Sequence, residues 1–164
     1  MLIFLSDHGM PLPFAKTQLY HHSTRTPLMV RIPGVTGNGK VEKRHMVSVV
    51  DLLPTVMDAL QVNQPPRLDG RSFYPVLKGE KQEKRNFVIK EYHENAGRSR
   101  DPMRAIQSKK YLYLFNPWSN GERVFATATN GTRTCKRMVD LARTDKQIAA
   151  RLDIYRHRVP AELY

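Results

Sequence analysis

Met1-Leu2-Ile3-Phe4-Leu5-Ser6-Asp7-His8-Gly9 is the stretch on which the reading of this chain turns. Five apolar residues run directly into a carboxylate, an imidazole and a glycine. The run predicts a buried strand over residues 1–6, and Gly9 lets the backbone turn sharply at its end. In an α/β sheet, ligands bind outside the carboxyl ends of parallel strands, so Asp7 and His8 stand where chemistry is preferred. Asp7 offers a hard oxygen to a cation, and His8 offers a nitrogen ligand or a proton donor. A capped turn with a satisfied polar histidine fits the same tetrapeptide, which alone does not choose between the two.

Further along, Lys16 precedes Tyr20-His21-His22-Ser23-Thr24-Arg25-Thr26-Pro27-Leu28-Met29-Val30-Arg31-Ile32-Pro33-Gly34. Then come Val47-Ser48-Val49-Val50-Asp51-Leu52-Leu53-Pro54-Thr55 and Leu68-Asp69-Gly70-Arg71-Ser72-Phe73. In order and spacing these four blocks resemble the C-terminal half of a sulfatase: strand-SDHG, a basic residue, T-x-x-PL-x-V-x-x-PG, VDL-x-PT and DG-x-S. Several blocks in register are far more specific than any one short motif. Gly9 to Lys16 with Thr17 and Tyr20, and later Asp101-Pro102-Met103-Arg104, look most like the heparan N-sulfatase (sulfamidase) branch.

The resemblance implies an α/β fold, the C-terminal part of the alkaline phosphatase-like sulfatase sandwich, followed by a small antiparallel-sheet α+β subdomain. We expect residues 1–80 in the first and 81–164 in the second. It also implies that Asp7 and His8 are metal-site residues for a divalent cation, most simply Ca²⁺. His8 then belongs to the catalytic set, and Lys16 contacts the sulfate. A histidine is softer than calcium prefers, and Lys16 replaces the branch's frequent arginine with a point charge. Tyr92-His93-Glu94 is similar to a His-Glu that precedes the P-M-R segment in sulfamidases, which makes His93 and Glu94 candidate substrate contacts; a surface loop fits them equally.

The family's nucleophile is a formylglycine made from Cys or Ser in a C/S-x-P-x-R context. The single cysteine, Cys135, stands in Arg133-Thr134-Cys135-Lys136-Arg137 without the proline. The expectation is therefore a C-terminal fragment that does not turn over substrate by itself. Its partner would be a sulfated carbohydrate or another sulfate ester, in a periplasmic, secreted or lysosomal setting. Two rivals stand beside this reading. One is a phosphodiesterase or phosphonate hydrolase of the same superfamily, although none of the remaining histidines forms a second metal motif. The other is a non-catalytic polyanion-binding module.

The second rival rests on charge. Twenty-seven Lys and Arg against fifteen acids give a formal net charge of +12, which attracts polyanions. No nucleic-acid module is recognisable and the charges are spread along the chain, so nucleic acid is excluded as the favoured partner. One cysteine allows no internal disulfide. No apolar run approaches the ~20 residues that span a bilayer.

Other elements follow from local pattern. Leu28 to Ile32 reads as a strand. Asp51 reads as the N-cap of a helix whose apolar face is Leu53, Val56, Met57 and Leu60. Lys78 to Arg85 reads as an exposed linker. Phe87–Ile89, Met103–Gln107 and Tyr111–Phe115 read as strands, with Lys109-Lys110 as a turn. Two helices close the chain: 133–142, with Met138 and Leu141 inward, and one after Thr144-Asp145 carrying Ile148, Leu152 and Tyr155. His21 and His22 are left outside the catalytic set. Arg25 reads as structural, Asn130-Gly131-Thr132 as a chance sequon, and Cys135 as a packing residue.

Overall fold

A computed structural model describes residues 1–94 and 100–164. It divides the chain into two compact units, one built from Met1–Leu5 and Leu28–Val88, the other from Ser6–Pro27 and Ile89–Tyr164. The loop that follows the opening strand thus belongs to the second unit. No helix among the described residues is long and apolar enough to cross a membrane.

In the first unit the opening run forms β1 (Leu2–Leu5), which pairs antiparallel with β2 (Leu28–Arg31) in the register Leu2↔Arg31, Leu5↔Leu28. That corrects two expectations. The described partner of β1 is antiparallel, and the strand is not buried: Leu2 is 66% and Phe4 58% exposed, because a two-stranded ribbon covers neither of its faces. Between the strands, in the second unit, lies the one-turn helix α1 (His21–Thr24).

A single 3-10 turn, Val49–Asp51, opens into α2 (Leu52–Ala59), and α3 (Tyr74–Leu77) follows. Asp51 stands at the N-cap of α2 as expected, but its side chain makes no cap hydrogen bond there. Its carboxylate is fully buried and reaches back to the Ser48 N–H at 2.8 Å and across to the Arg71 N–H at 2.8 Å. It also pairs with the Arg85 guanidinium. Arg85 is therefore part of the fold and not of an exposed linker. The backbone carbonyl of Asp51 accepts from the Thr55 hydroxyl at 2.6 Å, and Thr55 in turn accepts from the Phe73 N–H at 2.9 Å. A Cβ at Gly70 would stand 1.9 Å from the Val50 carbonyl oxygen, so only glycine allows the Asp69–Ser72 segment to lie this close. The VDL-x-PT and DG-x-S motifs are thus two halves of one structural lock. This arrangement buries Pro54 and Thr55 and leaves Leu53 and Leu60 exposed, contrary to the expected apolar face.

The second unit is built on a four-stranded antiparallel sheet in the order β3 (Phe87–Glu94), β4 (Arg100–Ser108), β5 (Leu112–Phe115), β6 (Ala161–Leu163). Alternation sets its faces: Asp101, Met103 and Ala105 of β4 and Leu112 and Leu114 of β5 are buried. Against them pack Leu19, Tyr20 and Phe125. A second cluster joins α4 (Arg133–Leu141) and α5 (Lys146–Arg156) through Cys135, Leu152 and Tyr155. Thr132 caps α4 by accepting from the Cys135 N–H, and Asp145 caps α5 by accepting from the Gln147 and Ile148 N–H groups at 2.8 and 3.1 Å. Phe14 touches both clusters, its ring centroid 5.4 Å from Tyr20 and 5.3 Å from Tyr155.

Candidate functional site

Where the chain leaves β1, the backbone folds Asp7 and His8 together. The His8 N–H donates to one Asp7 carboxylate oxygen at 2.9 Å, and the other oxygen lies 3.2 Å from His8 Nε2. His8 Nδ1 lies 2.8 Å from the Gly9 carbonyl oxygen. A carbonyl only accepts, so Nδ1 carries a proton, and Nε2 is the ring nitrogen turned toward the Asp7 carboxylate. A carboxylate oxygen and an imidazole nitrogen therefore stand side by side, and Asp7 is 82% exposed on its side chain. Two ligands of a common cation lie about 3 Å apart at ordinary bond lengths, so this pair fits one. No cluster of three or more His, Cys, Asp or Glu side chains suited to a metal occurs among the described residues; Asp7 and His8 would form only part of a shell.

Gly9 sets what stands next to the pair. A Cβ there would lie 2.5 Å from the Ala15 carbonyl oxygen and 3.1 Å from that of His22. The turn is thereby pressed against the backbone just before Lys16 and within α1. Phe14 and Thr17 take positive φ values of 66° and 59°, a conformation that costs energy without glycine and persists only when packing enforces it. Lys16, between them, is half-buried and has no side-chain hydrogen bond or ion pair among the described residues.

The enforcement comes from a buried polar network. Tyr20 donates to a Glu162 carboxylate oxygen at 2.5 Å, and Asn116 donates to the other at 3.0 Å. Arg158 pairs with Glu162 at 3.6 Å and donates to the Tyr20 oxygen and to Gln18 Oε1. Gln18, Tyr20, Arg158 and Glu162 are all buried. Burial pushes the Tyr20 phenol far up, Arg158 opposing it, so the hydroxyl stays a donor. Strand β6 thus holds the residues that follow Lys16. Its three residues carry too little pattern to be read as a strand from the sequence.

His93 lies within β3 rather than after it, on the outward row with Glu91. Its Nε2 stands 3.3 Å from a Glu91 oxygen, and the other Glu91 oxygen stands 3.6 Å from Arg104 Nε. Glu91 and Arg104, which the sequence reading did not single out, therefore steady His93; the P-M-R motif was the signal for Arg104. Glu94 ends the strand, and its side chain lies outside the described residues.

The opposite row of β3 holds Lys90, also missed. Its ammonium donates to Thr24 Oγ1 at 2.6 Å and to Gln107 Oε1. Burial lowers it from the usual 10.5 to about 8. An ammonium only donates, which turns the Gln107 amide nitrogen toward His21 Nδ1, 3.0 Å away. His21 therefore accepts at Nδ1 and carries its proton on Nε2. Its burial pushes it below the usual imidazole range, with Lys90 and Arg25 adding to the effect. The Val88-Lys90-Tyr92 alternation was the signal for an inward lysine.

The chain matches the family model described as N-sulphoglucosamine sulphohydrolase, C-terminal, over residues 7–123. It is 32% identical over 126 residues to the Homo sapiens N-sulphoglucosamine sulphohydrolase, covering 71% of this chain and 24% of that protein. The chain thus spans about a quarter of the length of that relative. A candidate sulfatase from Bacteroides thetaiotaomicron superposes with a TM-score of 0.58 at 25% identity, over 84% of this chain and 32% of that one. The phosphonate monoester hydrolase of Silicibacter pomeroyi superposes at 0.54 with 20% identity, over 95% and 35% of the two chains, a likeness of fold. The family match opens at Asp7, takes in Lys16, the Asp51–Gly70 lock and Arg104, and places the chain in the C-terminal family of N-sulphoglucosamine sulphohydrolase, on the α/β fold of the sulfatases.

Proposed function

We propose that the chain supplies the C-terminal part of a sulfuric ester or sulfamate hydrolase acting on a sulfated carbohydrate, with glucosamine N-sulfate as the first substrate to test. The observation that carries this is the Asp7–His8 pair, a carboxylate oxygen and an imidazole nitrogen 3.2 Å apart, in a turn pressed by Gly9 against the segment bearing Lys16. Asp7 and His8 hold a divalent cation, most simply Ca²⁺. Bound there, it polarises sulfate oxygens and offsets their charge. His8 serves through Nε2, its ring fixed by the Nδ1–H donated to Gly9. Lys16 contacts the sulfate; a half-buried ammonium with no carboxylate partner among the described residues is a strong point charge for a tetrahedral anion. His93 and Glu94 recognise the sugar, His93 being steadied by Glu91 and Arg104. A formylglycine nucleophile would be contributed from outside these residues, since Cys135 is buried in the α4–α5 cluster.

The test is sulfate release from glucosamine N-sulfate by the enzyme that contains this chain, with Asp7→Ala and Lys16→Met compared. Each should lower kcat/KM by about a hundredfold or more, and chelation followed by Ca²⁺ should abolish and restore turnover. Wild-type rates in either variant would overturn the site. Preference for a phosphonate monoester would assign the chain to other chemistry on the same fold.

A further inference from the structure

Away from Asp7 and His8, the second unit carries a trough of about 860 Å³ between α4, α5 and the loop at Leu12–Phe14. Its floor is aliphatic: Leu12, Met138, Leu141 and Ile148, all half-buried. Its rim is basic. Arg133 and Arg137 stand one turn apart on α4, and Arg151 faces them from α5. The Arg151 guanidinium lies 3.9 Å over the Phe14 ring, which holds it flat and leaves its N–H edge to a ligand. None of the three arginines has a carboxylate partner among the described residues.

We propose that this trough is a docking site for an acidic amphipathic helix of a partner polypeptide. Two packed helices joined by a short turn present a groove that a third helix fills, its apolar residues at i, i+3, i+4 and i+7. The three guanidiniums are distributed along and across the groove. They suit carboxylates spaced on both flanks of a helix and not the single headgroup of a lipid. An aliphatic floor offers little to the hydroxyls of a sugar. The docking site does not depend on the proposed hydrolytic activity, since it uses none of Asp7, His8, Lys16, His93 or Glu94.

Fluorescence anisotropy with the 164-residue chain tests it, using a labelled helix of about four turns with leucines on one face and glutamates flanking them. The expected result is saturable binding that Arg133→Glu with Arg137→Glu weakens at least about tenfold, and that Arg151→Glu weakens separately. All three side chains are exposed, so these variants keep the fold, which circular dichroism verifies. Amide chemical-shift changes should map to α4, α5 and residues 12–14. A scrambled peptide of equal composition that binds as well overturns the proposal, as do shifts that map elsewhere. Anionic phosphatidylserine vesicles or a heparin hexasaccharide binding through the same arginines, with the helix failing to bind, would likewise refute it.

Discussion

Replacing Asp51 by Asn keeps the side chain's shape and removes only its charge and one acceptor. In the wild type that carboxylate, with no exposed surface, accepts from two backbone N–H groups at 2.8 Å each and from Arg85. An Asn amide satisfies at most one of the two N–H donors well, because its own NH2 then faces the other. Arg85, whose side chain is only 13% exposed, loses its counter-ion. Breaking a buried pair from one side costs about 3–5 kcal/mol, and an orphaned N–H adds about 1 kcal/mol or more. The expected loss is about 4 kcal/mol, a large share of the stability of an ordinary domain. Urea unfolding followed by circular dichroism measures it, and amide exchange at Ser48 and Arg71 should accelerate first. Arg85→Met should cost less, since both N–H bonds to Asp51 remain. The double variant should recover about 1–3 kcal/mol of the summed losses. A cost below about 1 kcal/mol for Asp51→Asn, with Ser48 and Arg71 still protected, would refute the lock.

Gly9→Ala should force the turn off Ala15, whose carbonyl oxygen would lie 2.5 Å from the new Cβ. The expected cost is about 1–3 kcal/mol, with weaker cation affinity by calorimetry; unchanged affinity would separate the turn from the proposed cation site. Lys90, lowered to about 8 in the folded chain, binds fewer protons there than when unfolded. Stability should therefore rise with pH between about 8 and 10.5, and Lys90→Met should remove that rise in denaturation midpoints taken across the window. Glu162→Gln leaves Arg158, 1% exposed on its side chain, without its counter-ion. It should destabilise by about 3 kcal/mol and speed amide exchange at Leu19 and Tyr20; a lesser effect would mean that Asn116 and Gln18 suffice.

Local pattern was a good guide wherever an element's cause lies within the element. The strands around Leu28, Met103 and Leu112 and the helices after Thr132 and Asp145 all sit where alternation or caps placed them. The Leu152 and Tyr155 face is buried as expected. The pairing of Asp7 with His8 needed only adjacency and a glycine. Long-range causes were invisible. Asp51 has the local signature of an N-cap, and nothing near it in sequence points to Arg71 or Arg85. Leu53 and Leu60 have the spacing of a core face, but the segment that covers α2 approaches from the side of Pro54 and Thr55. A lysine in a strand reads as solvent-facing unless its row is followed through Val88 and Tyr92, and Lys90 lies half-buried where Thr24 and Gln107 supply acceptors.

The Tyr20–Glu162 bond joins residues 142 positions apart. During synthesis, at about 5–20 residues per second, Glu162 is made about 7–28 s after Tyr20. Throughout that interval the loop carrying Lys16 lacks the partner that holds it, while Phe14 and Thr17 still need a restraint on their left-handed backbone. The Lys16 side of the candidate site is thus a product of late translation. A premature stop anywhere between the sheet and Arg158 would leave that loop unfixed, however intact its own sequence.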